Sequence, residues 1–191
     1  MRPLALDLCC GLGGWAEGLI AAGWDVVGVD IDERFRATYP GLFVCCDIRW
    51  LAVGEWIIDE AKYRTFGLAV ASPPCQEFSR HDQPWTKRRN PPPPDKSIWE
   101  ACILIAEKAG APLILENVRG AQQFMGSGKW HFGSRYLWGD VPAIMPKFSW
   151  AHERKKESRT SAAVAERSKI PFELALHIGR VFHPGLEGVV A

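Results

Sequence analysis

No stretch of this 191-residue chain is apolar for long enough to span a bilayer, so neither a membrane-crossing helix nor a membrane partner is expected. The six cysteines (Cys9, Cys10, Cys45, Cys46, Cys75 and Cys102) never stand in a CxxC spacing, and the five histidines form neither HxxxH nor HExxH. Vicinal cysteines make poor disulfide partners and poor tetrahedral zinc clips, so free thiols and no metal are expected. Met1-Arg2-Pro3-Leu4 leads into a strand-like segment without the long apolar region of a secretion signal, which makes a cytoplasmic location the expectation. Internal repeats are absent as well. Net charge is only +1, so charge as a whole points to no partner. Its distribution is uneven. Arg80 to Lys96 holds five Lys/Arg against two Asp, and Glu153 to Lys169 holds six against three Glu, on a mildly acidic remainder. Two such segments fit either a polyanion footprint or solvated loops.

What is present is enough apolar sequence for one well-packed domain over 1–191. Leu68-Ala69-Val70-Ala71 reads as a buried strand of a parallel sheet. Pro73 and Pro74 stop it, because neither can donate to a ladder. Cys75 is thereby delivered on a stiff turn at the carboxyl end of a strand, where open α/β sheets place their chemistry. A thiol there is either a nucleophile or a buried structural cysteine.

Leu4 to Leu8 reads as the first strand, Trp15 to Ala22 as a helix ended by Gly23, and Val26 to Asp30 as the second strand. The turn between strand and helix is Cys10-Gly11-Leu12-Gly13-Gly14. Glycines let the backbone approach a ligand, and a helix N-terminus offers free N–H groups. Asp30 stands where an acid can bond the hydroxyls of a ribose, with Asp7 beside the turn. Gly11, Gly13 and Ala16 also satisfy G-x-G-x-x-A, which keeps a nucleotide-dependent oxidoreductase open beside a general adenosine-type ligand.

Further along, Glu33 to Tyr39 reads as a short helix, Leu42 to Cys46 as a third strand and Trp50 to Tyr63 as a helix in which Trp50 and Trp56 pack inward. Arg80 to Ser97 shows no secondary-structure pattern, with Pro91 to Pro94 as an extended arm. Ser97, with Glu100 in a capping box, is expected to cap a helix over Ile98 to Ala109. Leu113-Ile114-Leu115 is a fifth strand that brings Glu116 to the same edge as Cys75. Trp130 to Trp138 reads as a hairpin. Ile170 to Phe182 reads as an amphipathic helix, with Phe172, Leu176 and Val181 on its apolar face.

Three segments in order, Asp7-Leu8-Cys9-Cys10-Gly11-Leu12-Gly13-Gly14, Pro73-Pro74-Cys75-Gln76-Glu77-Phe78-Ser79 and Glu116-Asn117-Val118-Arg119-Gly120, resemble the signature motifs of C5-cytosine DNA methyltransferases. The resemblance covers about residues 4 to 142 and part of 167–180. It implies an α/β fold: a doubly wound, mostly parallel, Rossmann-like sheet that binds S-adenosylmethionine at its first crossover and releases S-adenosylhomocysteine. It further implies that Cys75 attacks cytosine C6, that Glu116 as an acid meets N3, and that Arg135 supports the thiolate or a base carbonyl. Asp7, Leu8, Cys9, Gly11, Gly13 and Gly14 would form the cofactor turn. Asp30 would meet the ribose, Asp47 the adenine amine, and Ile31 and Ile48 the ring; Pro73 and Ser168 would line the same pocket. The family often carries rings where Cys9 and Ile31 stand here.

The resemblance sets Gln76, Ser79, Arg80 and Arg119 against DNA. It adds a loop carrying Trp85, Lys87, Arg88 and Arg89 that closes over a flipped or single-stranded base. Residues 143–166 stand where the family has a sizeable target-recognition domain, and 167–183 where it has a final helix motif. So short a region leaves few residues to read base edges, and a partner protein is one source of sequence recognition. The small size resembles phage or mobile-element members, in a bacterial or phage-infected host. Transfer to RNA cytosine, and a remnant that only binds cofactor or DNA, stay open at this point.

Overall fold

A computed structural model describes residues 1–53, 65–83, 91–143 and 168–185. Five strands run parallel: β1 (Leu4–Leu8), β2 (Asp25–Asp30), β3 (Leu42–Cys45), β4 (Phe66–Ala71) and β5 (Leu113–Asn117). An antiparallel hairpin, β6 (Trp130–Phe132) and β7 (Arg135–Gly139), completes a seven-stranded sheet in the order β3-β2-β1-β4-β5-β7-β6. The chain winds outward from β1 to β3 and then returns to place β4 on the other side of β1. The carboxyl ends of β1 and β4 therefore flank the switch point where open α/β sheets take ligands.

Helices cover both faces, as the apolar strands require. On one side α2 (Ile48–Val53) and α4 (Ser97–Ala109) pack on Leu6, Leu8, Val27, Ala69 and Ala71, with Phe124 and Met125 of the short α5 (Gln122–Met125) against the same core. On the other, α1 (Gly14–Ala21) and the C-terminal α6 (Phe172–Phe182) pack on Ala5, Val26, Leu68, Val70 and Ile114. Neighbours in β1 alternate between these two cores, as the strand period of two demands. Leu6, Leu19, Leu68, Leu174 and Ile178 are wholly buried, each contributing roughly 1.5–3 kcal/mol. Between α1 and α6 there is no room for a side chain at Gly18, where a Cβ would come within 2.5 Å of Ala175 Cβ. Trp24 Nε1 adds a buried hydrogen bond of 2.8 Å to the Gly179 carbonyl. The doubly wound, mostly parallel sheet expected from the sequence is thus observed.

Several local expectations are corrected. The region after Cys75 is helical at first: α3 spans Gln76–His81 and includes Arg80. Ser97 does not cap α4. Its N–H and hydroxyl both donate to the Asp95 carboxylate, at 2.8 and 2.9 Å, and Lys96 is the cap residue. Trp50 is 73% exposed because Ile48, Leu51 and Ala52 take the inner face of α2; Trp56 lies outside the described residues. Phe172 is 44% exposed, the inner face of α6 being Leu174, Ala175 and Ile178.

Candidate active site

Ala71 pairs with Leu115 in the parallel β4–β5 register, so the chain leaving β4 runs beside Glu116. Cys75, half-buried, is the residue before α3. Its carbonyl accepts from the Ser79 N–H at 2.8 Å and from the Ser79 hydroxyl at 2.7 Å. Burial pushes the Cys75 thiol above the ordinary cysteine range, and the nearby Glu116 charge adds to the push; Arg135 and Ser79 oppose it. The resting thiol is therefore protonated at neutral pH.

Glu116 is only 8% exposed. Burial raises its pKa, while the Arg135 charge and hydrogen bonds from Arg135 and Ser72 pull the other way. Arg135, on β7, places Nη1 3.2 Å from Glu116 Oε1. The same nitrogen donates to the Ser168 carbonyl at 3.3 Å, and Nη2 donates to the Lys169 carbonyl. Lys169 in turn pairs with Glu17 on α1 at 2.6 Å. Asn117 locks the two strand ends together, donating to the Pro73 carbonyl at 2.9 Å while its own oxygen accepts from the Val118 N–H. Pro73 is buried and serves this contact through its backbone.

Next to this pair lies a cavity of about 160 Å³, lined among others by Cys9, Gly11, Leu12, Gly14, Trp15, Phe35, Ser72, Ser168 and Ile170. A Cβ on Gly11 would meet no protein atom within 4 Å, so the turn leaves open space for a ligand above it. Gly11 has φ +50° and Gly13 φ +80°, and even Cys9 sits in the left-handed region at φ +55°. Behind Gly13 stand Tyr39 and Pro40. The Asp30 carboxylate accepts from the Gly11 N–H at 2.9 Å and the Asp32 N–H at 3.0 Å, which braces the turn and leaves lone pairs for a polyol. These residues fit an adenosine-type cofactor.

The remaining candidates sit around this site in different ways. Asp7 is fully buried, accepts from the Tyr39 hydroxyl at 3.0 Å and has one oxygen without a hydrogen-bond partner; burial raises its pKa well above the usual range. Leu8 is buried and contributes its carbonyl, which accepts from the Ser72 N–H at 3.1 Å. Asp47 is clasped by Arg49, whose guanidinium lowers its pKa. Ile48 turns into the core rather than toward the cavity, whereas Ile31 is 65% exposed. Burial and a hydrogen bond with Cys102 hold the Cys9 thiol well above its usual range, the bond being the larger cause. On the outer side, Gln76 and Arg80 are exposed on α3, while Arg119 is paired with Asp82 at 2.9 Å. Trp85, Lys87, Arg88 and Arg89 lie outside the described residues, as do 144–167. Among the described residues no group of His, Cys, Asp and Glu could hold a metal, and no helix is long and apolar enough to cross a membrane.

Sequence reasoning gave no site role to Trp15, Ser72, Phe35, Asn117 or Lys169. Asn117 lies inside one of the motifs, and Trp15, Ser72 and Lys169 directly adjoin residues that were given a role, which was the available signal. Phe35 reaches the site only through folding.

The sequence profile of the C-5 cytosine-specific DNA methylase family matches residues 5–127. Among solved structures, the chain is similar to an Escherichia coli prophage protein described as a DNA modification methyltransferase (23% identity over 64% of this chain and 34% of that one, TM-score 0.47). It is also similar to the S. pombe Dnmt2 methyltransferase (22% identity over 65% of this chain and 39% of that one, TM-score 0.45). The chain thus spans well under half the length of either. No curated protein matches it. The profile match takes in more than half of the chain, including the glycine turn, Cys75 and Glu116, and the chain belongs to the C-5 cytosine-specific DNA methylase family.

Proposed function

We propose that this chain transfers a methyl group from S-adenosylmethionine to C5 of cytosine in DNA. The observation that carries the reading is the placement of Cys75 and Glu116 on neighbouring strand ends, with Arg135 against the acid and a cavity beside them. S-adenosylmethionine, when bound, supplies an electrophilic methyl on a sulfonium. Cys9, Gly11, Gly14, Phe35 and Ser168 would hold it, with Asp30 at the ribose.

The chain's own residues do the rest. In the reactive form the one proton shared by the Cys75–Glu116 pair sits on the carboxyl; the Cys75 thiolate adds to C6 of the ring and makes C5 nucleophilic toward the methyl that bound S-adenosylmethionine would supply. Glu116, as an acid, donates to N3 and stabilises the charge that this attack creates. Arg135 keeps the carboxyl oriented. Once methylated, C5 would give its proton to a base, N3 would return its proton to Glu116, and the sulfur would leave C6 so that aromaticity returns. Gln76, Ser79 and Arg80 on α3, with the basic residues Lys87, Arg88 and Arg89 further along the sequence, are assigned to the nucleic acid, and a buried duplex base must be flipped out first. A partner protein supplying sequence recognition fits the short 143–166 region.

The test is incubation with labelled S-adenosylmethionine and duplex DNA, single-stranded DNA or RNA, followed by digestion and detection of 5-methylcytosine. Label in DNA that Cys75→Ala abolishes is expected. Label only in RNA would move the substrate, and undiminished transfer by Cys75→Ala would remove the mechanism.

A further inference from the structure

We propose that Ser72, oriented by Trp15, is a positioning residue for the Glu116 carboxyl. The role deepens the cytosine-transfer reading and rests on it for its catalytic meaning. Trp15 Nε1 donates to Ser72 Oγ at 3.0 Å. An indole nitrogen can only donate, and a serine hydroxyl has a single proton. With an N–H filling one lone pair of Oγ, the hydroxyl proton turns away from the indole, and the Ala71–Leu115 register sets Glu116 beside it as the acceptor we assign to it.

The backbone brings the two residues together. Ser72 N–H is tied to the Leu8 carbonyl at 3.1 Å, and the Ala71–Leu115 register places Ser72 beside Glu116. Trp15 is 2% exposed, so water does not compete for its N–H. Arg135 takes Glu116 Oε1 from the β7 side. In the proposed arrangement the carboxyl is held between this guanidinium and the Ser72 hydroxyl, which fixes the plane in which it meets a base. Among the described residues, the charged and titratable groups acting on Glu116 are Cys75 beyond β4 and Arg135 on β7, and the Lys169 ammonium pairs with Glu17. Ser72 and Trp15 also line the cofactor cavity, so the same two side chains border both halves of the site.

The test follows the Glu116 carboxyl by carbon NMR in protein labelled at glutamate Cδ, without cofactor, the resonance being assigned with Glu116→Gln. Ser72→Ala removes a donor to the ionised form, so the titration midpoint is expected to rise by about one pH unit, the size of one hydrogen bond to a charged acceptor. Trp15→Phe frees the hydroxyl to rotate, and a smaller rise is expected. Ser72→Thr keeps the hydroxyl and the wild-type midpoint. In the transfer assay, kcat of Ser72→Ala falls about tenfold with KM for DNA unchanged, and Ser72→Thr restores it. A midpoint that Ser72→Ala leaves unmoved overturns the proposal. If that variant does not fold, an unmoved midpoint in Trp15→Phe does the same. A shifted midpoint in a protein that methylates nothing keeps the positioning role and removes the cytosine reading; methylation with an unmoved midpoint does the reverse.

Discussion

Arg135 reaches Glu116 and the Ser168 carbonyl with one and the same nitrogen, at 3.2 and 3.3 Å. A single cation thereby joins the acid on β5 to the C-terminal segment that lines the cofactor cavity. Arg135→Ala is expected to lower kcat by roughly a hundredfold, the scale of losing one preorganised charged donor. It should also weaken binding of S-adenosylhomocysteine, as read by calorimetry, because the Ser168–Lys169 strap loses its tie. Unchanged product affinity would show that the strap stands without the arginine.

Cys75 is expected to form a lasting bond to C6 of 5-fluorocytosine in duplex DNA. Fluorine cannot leave C5 as the proton does, so the sulfur stays attached. The adduct is read as a retarded band on a denaturing gel, present in wild type and absent from Cys75→Ala. Turnover of ordinary DNA without any trapped species would argue against a covalent cysteine.

Both members of the Cys75–Glu116 pair have pKa values above their ordinary ranges. The reaction needs one proton between them, on the carboxyl and not on the sulfur. At low pH both hold protons and at high pH neither does, so kcat/KM should be bell-shaped. The rate rises with pH through the Glu116 midpoint and falls above that of Cys75, which lies beyond the usual value of about 8.5. An alkaline limb below neutrality would contradict this order.

Glu116 is more stable protonated in the fold than in the unfolded chain, because burial raises its pKa. Its contribution is therefore fully present below the unfolded value of about 4.3 and is lost as pH rises through the folded value. Glu116→Gln removes that loss. Its Tm should match wild type in acid and exceed it in mild alkali. Methyl transfer should fall at least a hundredfold. A lower Tm at alkaline pH would mean that the charge-paired form stabilises the fold after all.

Gly18→Ala is expected to cost about 1–3 kcal/mol, since the new methyl would meet Ala175 Cβ and the Leu176 nitrogen at 2.5 Å. A urea melt checks it: the midpoint falls while the slope stays. No change would mean that α6 slides away from α1 at little cost.

Much of this molecule can be read along the chain. The runs at Leu4 to Leu8, Leu68 to Ala71 and Leu113 to Leu115 are apolar enough to be strands buried on both faces. Prolines and glycines at their ends say where each stops, and Cys75 and Glu116 follow directly from those stops. These are local matters of period, backbone freedom and turn chemistry. Where local rules allow two answers, the packed structure chooses between them. Ser97 looks like a cap, yet Asp95 two residues earlier supplies the acceptor. Trp50 looks like core, yet α2 begins at Ile48 and turns it outward.

What only the tertiary structure decided is which side chains meet. Trp15 and Ser72 are 57 residues apart, Arg135 and Glu116 are 19, and Lys169 and Glu17 are 152. No periodicity encodes such pairs. They depend on the register between strands and on the packing of α6 against α1, which arise once distant apolar faces are buried together. The sequence alone thus determined the strand ends and placed on them a thiol and a carboxyl, the groups to which we assign attack and acid catalysis. The fold decided how that acid is held and how readily each of the two gives up its proton, because burial and neighbouring charge exist only after the chain has closed.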